Sequence, residues 1–275
     1  MLIAENKLGY MAMLRNLRNI LNASPSNLQV VLDKLTDREA VLASKQLPFR
    51  FFSAYREIQG LASAKVLTAL EDALAHSIEN LPKLSGMTVI AIDTSGSMRS
   101  PISNRSQVSC ADIARLLAVL ASKICEDFIV YSFDTELKRV TFSGKGGIIE
   151  TALNIPVLGG GTNLLLPLQE MLDRNVRADR LLLFSDNEIN YGWTSGQFWM
   201  RSEQTMTCQQ LVERYRKEIN PDLWVHAVDL QGYGTQQFIG GKTNILAGWS
   251  ERVLEFLSLV EAGLDGQVET IENYK

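Results

Sequence analysis

The apolar positions in the first eighty residues recur at helical spacing. From residue 11 onward, apolar side chains follow one another every three or four positions, as at Met11, Leu14, Leu17 and Leu21. Thr36 followed by Glu39 has the pattern of a capping box at a helix start. Because no stretch here alternates with a period of two, residues 1–83 are predicted to form a small all-α segment of short helices.

From residue 87 onward, short apolar runs alternate with amphipathic helices. The runs "TVIAID", "FIVYSFD", "ELKRVTFS", "RLLLFSD", "LWVHAVDL" and "NILAG" predict strands. Continuous Leu, Ile and Val runs between helices are typical of a mostly parallel sheet that is covered on both faces. We therefore expect residues 87–275 to form a Rossmann-like α/β domain, whose ligand site lies beyond the carboxyl ends of the strands.

The composition fits a globular protein and narrows its class. The chain is 46% hydrophobic and has a formal net charge of -4, so it has no overall basic signature for nucleic acid. The N-terminal part is the more basic one, since residues 1–86 hold ten Lys and Arg against eight Asp and Glu. Three widely spaced cysteines without a CxxC pair argue against a disulfide framework or zinc site and favour a reducing compartment.

No feature of the sequence indicates a membrane protein. Glu5 and Lys7 interrupt the first apolar residues too early for a signal peptide. No apolar run approaches the ~20 residues that a membrane span needs. A cytoplasmic protein with no membrane partner is therefore expected.

Oxygen-bearing side chains follow three of the predicted strands and loops. Asp93 ends the first strand and is followed by Ser95 and Ser97; Thr162 lies in "GGGTN" and Asp186 in "FSDNE". Hard oxygen donors of this kind suit Mg²⁺, or Mn²⁺ nearly as well, and no His or Cys is near to favour zinc. The alternative is that Asp93 accepts backbone hydrogen bonds from the turn that follows it.

The remaining chemistry does not indicate an enzyme. The chain has two histidines, and His226 lies in an apolar strand where a hydrogen-bonded core residue is the expectation. "GGGTN" lacks the Lys-Ser/Thr of a phosphate-binding P-loop, and "DTSGS" is not a nucleophile elbow. A metal-assisted hydrolase is the weakest alternative, because no general base accompanies the oxygen cluster.

Basic and aromatic residues in two regions could contact RNA or another partner. The candidates are Arg15, Arg18, Arg50 and Arg56 in the helical segment and Trp193, Trp199 and Arg201 in the loop after "FSDNE". Arginines bind phosphate, and aromatic side chains stack on unpaired bases. The alternatives are a solvated helix face for the arginines, and packing or a protein contact for the loop.

The strand-end oxygens resemble the metal-ion-dependent adhesion site (MIDAS) of von Willebrand factor A domains. Asp93, Ser95 and Ser97 match the Asp-x-Ser-x-Ser motif of that family, and Thr162 and Asp186 match its threonine and late aspartate. The resemblance implies a Mg²⁺ or Mn²⁺ ion held by the serines and, in one state, by the threonine, with the aspartates acting partly through water. It also implies an open coordination position that takes a carboxylate from a protein partner.

Three segments, "GYMAMLRNLRNI", "KQLPFRFFSAYREI" and "LAGWSERVLEFL", carry a second resemblance. With them, nearly the whole chain is similar to the TROVE/Ro autoantigen family, in its N-terminally short bacterial form. It implies a Ro-like ribonucleoprotein component that binds a small structured RNA. The chain begins about where the last helices of the family's RNA-binding ring would lie, so the alternative is a metal-dependent protein-binding adaptor that has lost this ring.

The helical segment has a further consequence for assembly. Helical repeats bury their apolar faces against neighbouring repeats, so a short array has an end face that lacks its neighbour. We therefore expect self-association through the helical segment, or a partner that covers it.

Overall fold

The computed structural model describes residues 7–23, 26–103, 106, 108–142, 146–186, 206–232, 237–248, 250 and 252–263. The chain divides into two compact units. Unit 1 comprises residues 1–82 and 144–151, and unit 2 comprises residues 83–143 and 152–275. Each unit has its own architecture.

Unit 1 is helical, as the apolar periodicity predicts. Its helices are α1 (Tyr10–Arg15), α2 (Leu17–Asn22), α3 (Leu28–Thr36), α4 (Arg38–Ser44), α5 (Pro48–Ile58) and α6 (Ala64–Ser77). The longest helix, α6, packs against α3, α4 and α5. Phe51, Phe52, Leu70 and Leu74 are fully buried between these helices, and the hydroxyl of Tyr10 donates a hydrogen bond to the carbonyl of Leu35 at 2.8 Å.

Two local features of unit 1 differ from the sequence prediction. The first helical stretch is broken at Asn16, which has φ -100° and ψ 10°, so α1 and α2 are separate helices. Thr36 does not cap α4; it is the last residue of α3, and its hydroxyl donates to the carbonyl of Leu32 at 3.0 Å. The cap is Asp37, whose side chain accepts a hydrogen bond from the backbone N–H of Ala40.

Unit 2 contains a six-stranded sheet and most of the remaining helices. The strands are β1 (Leu84–Asp93), β2 (Cys125–Phe133), β3 (Leu137–Val140), β4 (Arg180–Ser185), β5 (Trp224–Asp229) and β6 (Thr243–Ala247). Its helices are α7 (Cys110–Ile124), α9 (Leu165–Asp173), α10 (Cys208–Glu218) and α11 (Arg252–Glu261). Helix α8 (Ile148–Leu153) begins in the part of the chain that belongs to unit 1.

The strand order is β3-β2-β1-β4-β5-β6, and every pair is parallel except β2 with β3. The chain moves outward from β1 through β2 to β3 and then returns to the other side of β1 as β4. The order of the strands therefore reverses between β1 and β4, and the carboxyl ends of these two strands flank the switch point where open α/β sheets bind ligands.

Helices cover both faces of the sheet. Val89 and Ala91 of β1 pack in one apolar cluster with residues of α9 and α10, including Met171 and Tyr215. Helix α7 lies against β1, β2 and β4 and begins with a capping box. Since alternate residues of a strand face opposite sides, this arrangement is the predicted Rossmann-like domain with a mostly parallel sheet, and the fold prediction is confirmed.

Helix α8 was not predicted from the sequence. It has six residues, too few for an isolated helix to be stable in water. The carboxylate of Glu71 in α6 accepts hydrogen bonds from the backbone N–H groups of Ile149 at 3.0 Å and Glu150 at 2.9 Å. A helix start that is capped by a side chain distant in sequence leaves no local signal.

The three cysteines form no disulfide. Cys110 and Cys208 are buried at the first positions of α7 and α10, and Cys125 is partly exposed at the start of β2. Burial raises the pKa of both the Cys110 and the Cys208 thiol to about 11.

Candidate metal centre and candidate RNA groove

Asp93 is fully buried at the carboxyl end of β1 and accepts hydrogen bonds on both carboxylate oxygens. The backbone N–H of Ser95 donates to Oδ1 at 2.8 Å, and the hydroxyl of Ser185 donates to Oδ2 at 2.6 Å. The hydroxyl oxygens of Ser95 and Ser97 lie 3.2 Å apart. The turn after β1 therefore brings together one carboxylate and two hydroxyls of the predicted site.

The loop that carries Thr162 is bonded to this turn through the backbone. The N–H of Gly159 donates to the carbonyl of Thr94, and the N–H of Gly96 donates to the carbonyl of Gly160, both at 3.0 Å. Gly159 has φ +89°, a conformation that favours glycine. Thr162 is 2% exposed, so its hydroxyl is buried in the same pair of linked loops.

Asp186 is fully buried immediately after β4, the strand that pairs with β1. Its negative charge acts on Asp93. Burial raises the pKa of Asp93 to about 6, and the charge of Asp186 adds to this effect, while the hydrogen bonds from Ser185 and Ser95 oppose it. The predicted residues therefore lie around the β1/β4 switch point, with two carboxylates in a buried setting.

This donor set fits a small divalent cation. In an octahedral Mg²⁺ site with bonds of 2.0–2.1 Å, neighbouring ligand oxygens lie about 2.9 Å apart, close to the separation of the Ser95 and Ser97 hydroxyls. Among the described residues, no group of three or more His, Cys, Asp or Glu side chains is arranged to hold a metal.

Sequence reasoning missed two further aspartates at the same edge of the sheet. Asp134, just after β2, accepts from the N–H groups of Glu136 at 2.9 Å and Gly160 at 3.3 Å. Asp229, at the end of β5, accepts from the N–H groups of Gln231 and Gly232. The signal was present, because Asp134 and Asp229 also lie at or next to the ends of strand-forming runs, but only Asp93 and Asp186 match the MIDAS motif.

His226 is a core residue, as expected. It is fully buried, its Nε2 lies 2.9 Å from Oε1 of Glu261, and the side-chain amide of Asn244 lies 3.0 Å from its Nδ1. Because an amide nitrogen only donates, Nδ1 accepts and Nε2–H donates to Glu261. His226 is thus held by two partners at the amino end of the sheet, away from the strand-end oxygens.

In unit 1, three of the four candidate arginines surround one groove. Arg15 of α1, Arg18 of α2 and Arg50 of α5 are exposed and line a groove of about 310 Å³, here named the α1–α5 groove. Its apolar wall is formed by Met11, Leu14, Leu17, Ala54 and Ile58. Arg18 forms an ion pair with Glu57 at 3.3 Å, whereas Arg56 is half-buried and does not line the groove.

Trp193, Trp199 and Arg201 lie outside the described residues. Among the helices of the described ranges, none combines the length and apolar character that a membrane crossing requires.

Comparison with known proteins matches both units. The TROVE domain model matches residues 1–83, and the Ro60 vWA domain model matches residues 87–220. The crystal structure of the Deinococcus radiodurans Ro (RSR) protein superposes on 95% of this chain with a TM-score of 0.73 at 17% identity. The match covers 54% of that protein, so this chain spans about half its length.

Curated relatives match a shorter stretch. Telomerase protein component 1 from Mus musculus is 44% identical over 62 residues, and that from Rattus norvegicus is 42% identical over 62 residues. Each match covers 22% of this chain and 2% of the relative. The two domain models lie in the order TROVE then vWA, and the fold is that of a Ro protein. The chain therefore belongs to the Ro-like TROVE family and carries a vWA domain.

Proposed function

We propose that this protein is an RNA-binding component of a Ro-like ribonucleoprotein and that the α1–α5 groove contacts the RNA. The observation that carries the proposal is the combination of Arg15, Arg18 and Arg50 with an apolar wall. Guanidinium groups bind phosphate oxygens with paired hydrogen bonds, and an apolar wall accommodates an unstacked base. Membership of the TROVE family supports the same function.

The charges around the groove favour an anionic ligand. Glu57 pairs with Arg18, but Arg15 and Arg50 add two positive charges to the rim, so the rim is net positive. A groove of about 310 Å³ is the size of a small ligand site, too small for a duplex and adequate for one nucleotide. RNA with a single-stranded segment is therefore the expected partner.

The test is filter binding of a structured RNA with a single-stranded 3′ tail across a salt series. We expect the double variant Arg15→Met/Arg50→Met to weaken binding at least tenfold. It should also reduce the slope of log K against log salt by about 0.7 for each phosphate that the variant no longer binds. Arg38→Met is the matched control, because Arg38 is an exposed arginine of unit 1 that pairs with Glu79 and does not line the groove.

Two outcomes would contradict this function. Failure of the wild-type protein to bind this RNA at low salt would reject the RNA function. Equal binding by the double variant and by Arg38→Met would reject the groove as the RNA contact. The series is run with Mg²⁺ and with a chelator, and binding through the groove is expected to be the same in both.

We further propose that Asp93, Ser95, Ser97, Thr162 and Asp186 hold Mg²⁺ or Mn²⁺. The supporting observation is that two carboxylates are buried close enough for their charges to interact beside hydroxyl oxygens, and a cation would offset the repulsion between these charges. When bound, the ion supplies a Lewis-acidic position for an oxygen ligand. Within this chain, the N–H of Ser95 and the hydroxyl of Ser185 orient the carboxylate of Asp93, and burial keeps both carboxylates away from solvent.

The metal site favours a second function, that of a metal-dependent adaptor for a protein partner that offers a carboxylate. In that case binding of the partner depends on the ion and is lost with a chelator, whereas RNA binding through the α1–α5 groove is not. The chelator arm of the RNA experiment therefore separates the two functions.

A further inference from the structure

The connection between α8 and α9 carries Thr162, and two arginines hold its backbone carbonyls. Arg115 of α7 donates from Nη1 to the carbonyls of Leu153 at 3.2 Å and Ile155 at 2.8 Å. Arg99 donates from Nη2 to the carbonyl of Val157 at 3.1 Å. Both arginines follow β1 in the sequence, and the carbonyls that they bind precede Thr162. They therefore attach the first part of the connection to the region after β1.

The two arginines differ in their surroundings. The side chain of Arg115 is 11% exposed and also bonds the carbonyl of Ala111 and the carboxylate of Asp112, so its hydrogen-bonding groups are used inside the fold. Arg99 is exposed, and its guanidinium lies over the backbone of Gly159. A Cβ at residue 159 would lie 3.1 Å from Nη2 of Arg99, so the absence of a side chain at Gly159 makes room for this contact.

Arg99 joins the two loops that supply the hydroxyl oxygens. It ends the 3-10 turn that begins at Ser97. Its two contacts, at Val157 and Gly159, lie on the connection that leads to Thr162. Arg99 makes this link through its side chain, whereas the Gly159–Thr94 and Gly96–Gly160 bonds join backbone to backbone.

We propose that Arg99 is a positioning residue of the metal site, which sets the distance between the serine hydroxyls and Thr162. This inference rests on the metal site proposed above. The two backbone bonds keep the loops together without Arg99, so its removal affects the precision of the site more than the fold. Removing groups that orient metal ligands typically lowers metal affinity 10- to 100-fold, and for an exposed arginine with one hydrogen bond we expect about tenfold.

The test measures the affinity of the full chain for Mn²⁺ alone, by titration calorimetry and by electron paramagnetic resonance. The variants are Arg99→Met, Arg99→Lys and the control Arg214→Met, an exposed arginine on α10 that pairs with Glu218. The thermal midpoint of each metal-free variant is measured in parallel. Arg99→Met should weaken Mn²⁺ binding about tenfold with an unchanged midpoint, Arg99→Lys should recover part of the affinity, and Arg214→Met should match the wild type.

Two results would overturn the role of Arg99. One is wild-type affinity in Arg99→Met. The other is an equal fall in the midpoint of both Arg99 variants together with an equal fall in affinity, because that pattern describes a purely structural residue. Absence of Mn²⁺ binding by the wild-type protein is a different result and would reject the metal site itself.

Discussion

Both ends of the β-sheet in unit 2 bury charged groups, but the surroundings of the buried carboxylate differ between the two ends. At the amino end, Arg180 forms a two-pronged ion pair with Glu261 at 2.7 and 2.8 Å, and His226 donates to the same carboxylate. At the carboxyl end, Asp93 accepts hydrogen bonds from a hydroxyl and a backbone amide and lies near the negative charge of Asp186.

The pKa values of the two buried carboxyl groups, Glu261 and Asp93, differ as a result. Burial alone would raise the pKa of Glu261, but the hydrogen bonds from Arg180 and His226 and the positive charge of Arg180 outweigh it and hold the pKa at about 2. Burial raises the pKa of Asp93 to about 6, because its hydrogen-bond donors are neutral and the charge of Asp186 repels its own. The buried carboxylate at the amino end is thus paired with a cationic side chain of the fold, whereas the one at the carboxyl end lies near a second negative charge, which is where the metal site is proposed.

The largest expected effect comes from breaking the amino-end network. Glu261→Gln leaves the guanidinium of Arg180, 5% exposed, without its counter-charge, and we expect a loss of about 3–5 kcal/mol in the free energy of unfolding. Urea denaturation at pH 7 measures it. Glu218→Gln, which breaks the exposed pair with Arg214, is the matched control and should not differ measurably from the wild type. Equal stability of the two variants would show that the amino end is not a supporting network.

At the carboxyl end, we expect removal of a buried charge to raise the free energy of unfolding instead of lowering it. Asp93→Asn should abolish Mn²⁺ binding and yet stabilise the metal-free protein at pH 7, on the order of 2 kcal/mol, because it removes a buried charge. A carboxyl whose pKa is raised from 3.8 to about 6 on folding favours the folded state at low pH and loses that contribution as the pH rises through 6. The stability gap between variant and wild type should therefore open between pH 4 and pH 6.

The measurement is urea denaturation from pH 4 to pH 8, with and without Mn²⁺. Saturating Mn²⁺ should close the gap by stabilising only the wild-type protein. A gap that is constant with pH would contradict the raised pKa. Unchanged Mn²⁺ affinity in Asp93→Asn would contradict the metal site.

The smallest effect is expected at Asp229, which tests whether every strand-end aspartate belongs to the site. Its Oδ1 accepts from two backbone N–H groups, at 3.1 Å from Gln231 and 2.8 Å from Gly232. Asn retains an acceptor at this position, so Asp229→Asn should leave Mn²⁺ affinity within about twofold of the wild type. Calorimetry as for Asp93→Asn checks it, and a tenfold loss would place Asp229 in the metal site.

The sequence was sufficient for the fold because the signals for unit 2 are local. Apolar strand runs, amphipathic helices and the strand-end motif beginning at Asp93 are all contained within short stretches. These stretches predicted the mostly parallel sheet and placed Asp186 at the end of a buried strand, whereas the pairing of that strand with β1 came from the structure. The break at Asn16 was not predicted, because the apolar spacing continues through it.

What sequence reasoning missed depends on contacts between distant residues. Helix α8 is capped by Glu71, more than seventy residues earlier, and Ser185 bonds Asp93 across ninety-two positions. Neither contact leaves a pattern in its own neighbourhood. The candidate RNA arginines illustrate the same limit, since only the folded unit shows that Arg50 lies on the same groove as Arg15 while Arg56 does not.

The two buried cysteines can report local unfolding of the helices that contain them. Cys110 and Cys208 occupy the first turns of helices on opposite faces of the sheet, and their thiols hold their protons up to a pH of about 11. A thiolate-selective reagent at neutral pH therefore reacts with them only when the corresponding helix start separates from the sheet. The labelling rates of the two thiols would therefore measure local unfolding on each face of the sheet separately, without an introduced probe.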